Sequence, residues 1–216
     1  EVKTCTERDS CPPVQHLENL GLLNQRVVAA HGVKVTEEEM TLLAQRKVKL
    51  AHCPESNMKL ASGVASVPAL LEKGVVVGLG TDGSASNNDV DMFGEMNSAA
   101  KLHKVARMDP TVMSAATTLH AATLGGAAVL GTEADIGSIA VGKKADLIML
   151  DMNQPHLTPV YNPISHLVYA AGGSDVIHSI INGQVVMQDR QITTLDEAEV
   201  IREMKLIGKV VRRMGS

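Results

Sequence analysis

Three short apolar runs, each closed by a polar side chain able to do chemistry, constrain this chain more than any other feature. They are VVAAHGV from Val27 to Val33, VKLAHCP from Val48 to Pro54, and VVVGLGTD from Val75 to Asp82. Between the first two, Thr36 followed three residues later by Glu39 is a capping box. It opens a helix expected over Glu37 to Lys47, with Met40, Leu42 and Leu43 facing inward. Between the second and third, Val67 to Lys73 reads as a helix stopped by Gly74. Runs that are apolar throughout, separated by helices, read as parallel strands covered on both faces. The order strand, helix, strand, helix, strand predicts an α/β fold.

The same logic extends outward. Val14 to Leu20 carries apolar residues at Val14, Leu17 and Leu20 and closes at Gly21, a short helix. Beyond the third run, helices are expected over Asp91 to Arg107 and over Pro110 to Leu130, the second with Pro110 at its first helical position. After Gly131 the texture changes to short alternating runs, Asp135 to Asp151 and Val176 to Ile192, with Asn182-Gly183 as a hairpin turn. A last helix spans Thr194 to Met214, with Leu195, Val200, Ile201, Met204, Ile207 and Val211 as its apolar positions. Three segments result: 1–132, a small β module at 133–193, and a terminal helix at 194–216. The opening EVKTCTERDSCPP starts on Glu1 and reads as the middle of a longer chain.

Composition excludes several classes of function. With 44% hydrophobic against 20% charged residues the chain can bury a core. Lys and Arg number 20 against 24 Asp and Glu, and with no Trp, one Phe and two Tyr there is neither a cationic surplus nor a set of stacking rings. Nucleic acid is therefore not an expected partner. Glu72 and Lys73 interrupt the longest apolar stretch, so no membrane-spanning helix is expected. Cys5, Cys11 and Cys53 are odd in number and lack CxxC spacing, which points to a reducing, cytoplasmic setting.

In α/β arrays ligands bind at the carboxyl ends of the parallel strands. His31, His52 and Asp82 all fall there. Histidine can act as base or ligand near neutral pH, and aspartate can hold a divalent ion and accept a proton. Gly78 to Gly83 formally matches GxGxxG, but Asp82 would lie inside the loop meant to hold a pyrophosphate, and the following SASNND is polar loop rather than helix. His16, His103 and His120 are read as helix-surface or packing residues, His166 as a structural hydrogen-bonding group, and the eleven Met residues as core filler on helices.

Taken as strings, AAHGV, AHCPESNMKLASGVA, GVVVGLGTDGSASNNDVDMFGEMNSAAKLHK, ATLGGAAVLG, IGSIAVGKKADLIMLD and NPISHLVYAAGGSDV resemble, in this order, the amidohydrolase superfamily and its 5-methylthioadenosine/S-adenosylhomocysteine deaminase group. The resemblance runs from about Val14 to Asp196. It implies the carboxyl-terminal part of a (β/α)8 barrel, strands six to eight ending at His31, His52 and Asp82, plus the carboxyl-terminal share of a small β-sandwich. It also implies one divalent metal, zinc, with Asp82 as a ligand, and with the other ligands and the catalytic Glu in an absent amino-terminal half. His31 matches the histidine that orients the attacking water, although Gly32 stands where the group commonly has Cys. His52, Ser56 and Asn57 line the same mouth by position and are taken as substrate-binding.

The implied activity is hydrolytic deamination of a purine nucleoside, with this chain alone inactive and the missing half its partner. A homo-oligomer stays open. Two alternatives also stand: action on another amino-heterocycle such as an s-triazine, and a non-catalytic chain that keeps the fold.

Overall fold

A computed structural model describes residues 2–214. It opens with two helices, α1 (Val2–Asp9) and α2 (Pro13–Asn19), the first of them in the charged segment for which no element is expected. The alternating core follows: β1 (Val28–Ala30), α3 (Glu37–Gln45), β2 (Lys49–His52), α4 (Pro54–Lys59), α5 (Val67–Glu72) and β3 (Val77–Leu79). Thr36 caps α3 as expected, its hydroxyl accepting the Glu39 N–H while the Glu39 carboxylate accepts the Thr36 N–H. That carboxylate also accepts the Val14 N–H at 3.1 Å, which ties α2 to α3 and explains why Glu39 is buried.

β1, β2 and β3 form a parallel sheet in that order. Val28 faces Lys49 and His52 faces Leu79. The ladder continues past the strand ends, where His31 N–H donates to Ala51 O and Gly80 N–H to His52 O, both at 2.9 Å. The three carboxyl ends therefore lie side by side. Coverage of the strands differs from expectation: β3 is buried throughout, whereas Val28 on β1 is 45% exposed. Among the described residues β1 is an edge strand, with β2 as its neighbour on one side.

After β3 come α6 (Met92–Arg107), α7 (Ala115–Ala122) and α8 (Leu124–Leu130). The single helix expected over Pro110 to Leu130 is thus two. The first of them begins beyond Pro110, where Ser114 caps α7 by accepting the Thr117 N–H, and Thr123, at φ −119° and ψ −96°, breaks the run. The break serves packing. A Cβ on Gly78 would lie 2.8 Å from Gly126 Cα, and one on Gly125 would lie 2.8 Å from Val77 O, so α8 and β3 touch backbone to backbone. The first glycine of the GxGxxG string is there for helix contact, not for a pyrophosphate.

The remaining elements are β4 (Leu147–Leu150), α9 (Pro163–Tyr169), β5 (Val176–Ile181), β6 (Gln184–Gln188), β7 (Gln191–Ile192) and α10 (Glu197–Met214). β4 to β7 form one antiparallel sheet in chain order. Its β5–β6 hairpin turns on Asn182 and Gly183 at φ +49° and +79°, both left-handed as a two-residue turn of this hand requires. The described residues divide into two compact units: those up to 143 together with 152–173, and 144–151 together with those from 174 on. From 197 to 213 every residue of α10 is exposed except the half-buried Gly208.

Methionine is only partly core filler. Met40, Met96 and Met113 are buried, but Met58, Met108 and Met204 are exposed on helices or helix ends, and Met149 is exposed on β4. Among the described residues no helix is long and apolar enough to cross a membrane.

Candidate functional site at the carboxyl edge of the parallel sheet

β1 and β3 both leave the sheet through a left-handed residue. His31 has φ +66° and Asp82 φ +61°. Such a backbone is uncommon outside glycine, and His and Asp are among the residues that tolerate it best. The two side chains meet in solvent. His31 Nε2 lies 4.0 Å from Asp82 Oδ2, with side-chain exposures of 40% and 34%.

β2 instead runs through Cys53 into α4, with Pro54 at its first position. That first turn puts Ser56 and Asn57 beneath the pair, 0% and 1% exposed. Ser56 Oγ donates to Asp82 Oδ2 at 2.7 Å, and Ser86 Oγ, from the loop after β3, donates to the same oxygen at 2.7 Å. The two hydroxyls and the Gly83 N–H hold the Asp82 carboxyl down at about 2, with His31 a lesser contributor. It is an anion at any physiological pH. Asn57 Oδ1 lies 2.9 Å from His31 Nδ1. An amide oxygen only accepts, so Nδ1 carries the hydrogen, and in the neutral ring the lone pair sits on Nε2, the nitrogen nearest Asp82.

His52 lies elsewhere. It is 0% exposed, and its Nε2 is 2.9 Å from Nε2 of His103 on α6, itself 1% exposed. Burial pulls both rings well below the ordinary imidazole value, His52 to about 3 and His103 to about 4. His52 Nδ1 and Asn57 Nδ2 are buried polar atoms without a hydrogen-bond partner among the described residues. The neighbouring Cys53 thiol is pushed up to about 11, chiefly by burial, so it is not a ready nucleophile.

Of the five sequence-selected residues, His31, Ser56, Asn57 and Asp82 thus form one hydrogen-bonded group, while His52 forms a sealed pair with His103. The sequence pattern alone singles out neither Ser86 nor Glu95. Ser86, four residues beyond Asp82, had no signal beyond lying in a polar loop. Glu95 is an acid among the buried positions Phe93, Met96, Ala99 and Ala100 of α6, and that placement could have marked it. His166 makes the structural contact expected of it, Nδ1 to Asn162 O at 3.0 Å.

A sheet-edge group of one anchored carboxylate and one oriented imidazole is a proton-handling and ligand-holding arrangement. The amidohydrolase family model matches residues 6–186, and the chain belongs to that family. Within it, the chain is 53% identical over 212 residues to a 5-methylthioadenosine/S-adenosylhomocysteine deaminase of Syntrophobacter fumaroxidans, a match covering 98% of this chain and 48% of that protein. It is 48% identical, over the same shares, to a second such deaminase from Syntrophus aciditrophicus. Among solved structures, an adenosine deaminase from Xanthomonas campestris with bound zinc superposes with a TM-score of 0.96 at 42% identity, over 99% of this chain and 48% of that one. An atrazine chlorohydrolase from Arthrobacter aurescens complexed with zinc gives 0.89 at 26% identity, over 95% and 46%. The chain spans about half the length of the curated relatives it matches.

Proposed function

We propose that this chain is part of a metal-dependent hydrolytic deaminase acting on 5-methylthioadenosine, S-adenosylhomocysteine or a closely similar adenosine derivative. The 53% identity to a deaminase of that name over nearly the whole chain carries the proposal. In this reading β1, β2 and β3 are the last three strands of a (β/α)8 barrel, and the antiparallel sheet is a share of a β-sandwich. Free Cys5, Cys11 and Cys53 support a cytoplasmic setting.

Asp82 fits one oxygen position on a divalent ion: it is anionic, partly exposed, and oriented through Oδ2 by two serine hydroxyls. Among the described residues no group of three or more His, Cys, Asp or Glu side chains is arranged to hold a metal ion. The further donors would come from the half of the relatives' length that this chain does not span. When bound there, zinc supplies acidification of water toward neutral pH.

The residues of this chain supply the rest. Asp82 accepts a proton from the attacking water, and His31, its Nδ1 engaged by Asn57, offers Nε2 to orient that water. Water adds to the purine carbon bearing the amino group, the proton taken up by Asp82 passes to the departing nitrogen, the carbon–nitrogen bond breaks, and ammonia leaves. Ser56 and Asn57, buried beneath the pair, fit the positioning of Asp82 and His31 better than direct substrate contact.

The test is the full-length protein, loaded with zinc and offered both substrates, with release of ammonia and conversion of the adenine to the hypoxanthine chromophore as readouts. Absence of turnover on every adenosine derivative would overturn the proposal. The likeness to triazine hydrolases supports a second reading, action on another amino-heterocycle. Turnover of an amino-triazine, but of no adenosine, would establish it.

A further inference from the structure

We propose that Glu95 is a positioning residue of the Asp82 site: its buried carboxyl ties the loop after β3 to the first turn of α4, and so fixes both serines that hold Asp82. The inference deepens the proposed deaminase reading and rests on it for its catalytic consequence.

The loop from 83 to 90 needs to be held. Asn88 lies at φ +93° and Val90 at φ +56°. For a β-branched residue the left-handed region is a true outlier, and such strain persists only where the surroundings over-determine it. Asn87 does the holding from within the loop. Its Oδ1 accepts the Val90 N–H at 2.9 Å, and its Nδ2 donates to Glu95 Oε1. Ser86, the residue beside it, donates to Asp82.

The other oxygen reaches the second element. Glu95 Oε2 accepts the backbone N–H of Glu55 at 3.3 Å, and the next residue, Ser56, donates to the same Asp82 oxygen as Ser86. The Glu55 carboxylate is seated as well, accepting from Ser98 Oγ at 2.7 Å and lying close over Gly94, where an added Cβ would come within 3.3 Å of it. One carboxyl on α6 is thus common to both segments that grip Asp82 and, through Asn57, His31.

Packing alone gives no reason for an acid here. Glu95 is 0% exposed among Phe93, Met96, Ala99 and Ala100, and burial, aided by the Glu55 carboxylate, pushes its pKa up to about 7. An apolar side chain would fill the position at lower cost. What it could not do is accept from Asn87 and from the Glu55 amide at once.

The experiment uses the full-length protein with Glu95→Leu and Glu95→Gln, followed by hydrogen exchange over residues 83–90, thermal melting, and kcat and KM with zinc. Glu95→Leu should speed exchange in the loop by about tenfold. It should also lower kcat by about 10- to 100-fold, as loss of a supporting hydrogen bond behind a metal ligand does. KM should stay within about threefold, and the melting temperature should not fall. Glu95→Gln keeps an oxygen for Asn87 but turns an amide N–H on the Glu55 N–H, so it should lie between Leu and wild type. Unchanged exchange at 83–90 in Glu95→Leu would overturn the proposal, as would a kcat that falls only in step with melting temperature. A wild type inert on all adenosine derivatives would instead overturn the deaminase reading, while loop exchange would still decide the role of Glu95.

Discussion

The two flanking strands of the parallel sheet end in side chains that meet water, and the central strand between them ends in one that is sealed. β1 delivers His31 and β3 delivers Asp82 through left-handed residues, which turn the side chain out of the strand's alternation. β2 passes straight into α4, so His52 keeps the face of Leu50 and closes on His103. The chemistry differs accordingly. Asp82, held by hydroxyls in partial contact with solvent, stays ionised, while His52 and His103, in the interior, resist taking a charge at all. Reaching the carboxyl edge of the sheet is therefore not enough to place a residue in the site; the backbone must also turn there.

The largest expected effect separates the two clusters by activity. On the deaminase reading proposed above, His31→Ala and Asp82→Asn in the full-length protein should each lower turnover by about two to four powers of ten, the range for positioned acid–base groups. His31→Ala should leave zinc content nearly intact. The double variant His52→Leu/His103→Leu should keep turnover within about tenfold of wild type, since its packing swap touches no reacting group. Equal losses from both clusters, read by steady-state kinetics and metal analysis, would put His52 in the substrate site after all.

Stability should sort them in the reverse order. His103→Leu alone takes from His52 Nε2 its partner in the interior, which costs about 1–3 kcal/mol. Replacing both rings by Leu removes the stranded groups and should cost less than either single change. Urea unfolding of the two singles and the double completes the cycle. A double variant as unstable as the sum of the singles would mean the two rings are independent.

Acid gives the same contrast a sign. His52 and His103 have folded-state values of about 3 and about 4, below the ordinary 6.5. Their contribution to stability is whole above pH 6.5 and is lost as the pH falls from there toward 4 and 3, because the unfolded chain takes the protons first. Glu95 acts the other way. Raised from 4.5 to about 7, it contributes fully below pH 4.5 and loses that contribution as pH rises through 7. Unfolding midpoints measured across this span should show the acid loss flattened in the double Leu variant and the alkaline loss flattened in Glu95→Leu. An acid limb unchanged by removing both rings would place the titrating groups elsewhere.

Much of this was legible in the residues. The capping box at Thr36, the three strands, the Asn182-Gly183 turn, and His31 with Asp82 follow from local pattern. His52 could also have been read as interior, because Val48, Leu50 and His52 alternate with Lys49 and Ala51, and His103 continues the Met96, Ala99, Ala100 stripe of α6. Ser56 and Asn57 are placed at the mouth of the site by the resemblance, but the helical turn of α4 that seats them beneath Asp82 and His31 was not legible. It is six residues long and opens on Cys-Pro, with no capping side chain to announce it. The split of the helix after Pro110 was hidden for a different reason. It is imposed by the approach of Gly125 and Gly126 to β3, a contact between residues some 50 positions apart that no local period records.

The smallest effect tests whether burial, rather than contact alone, gives a residue its influence on the site. Lys59 also holds the loop after β3: its Nζ donates to Ala85 O at 2.9 Å and to Asn88 Oδ1. Unlike Glu95 it is exposed. Water can replace what Lys59 donates, and a long flexible side chain loses conformational freedom in making those bonds, so their net worth is small. Lys59→Met keeps most of the stem and removes the ammonium. It should shift stability by no more than about 0.5 kcal/mol, the range of ordinary surface changes, and kcat by less than about threefold. Urea midpoints and kcat measured beside those of Glu95→Leu give the comparison directly. If Lys59→Met cost as much turnover as Glu95→Leu, the loop would depend on the number of its ties, and the distinction between sealed and solvated groups would not govern this edge of the sheet.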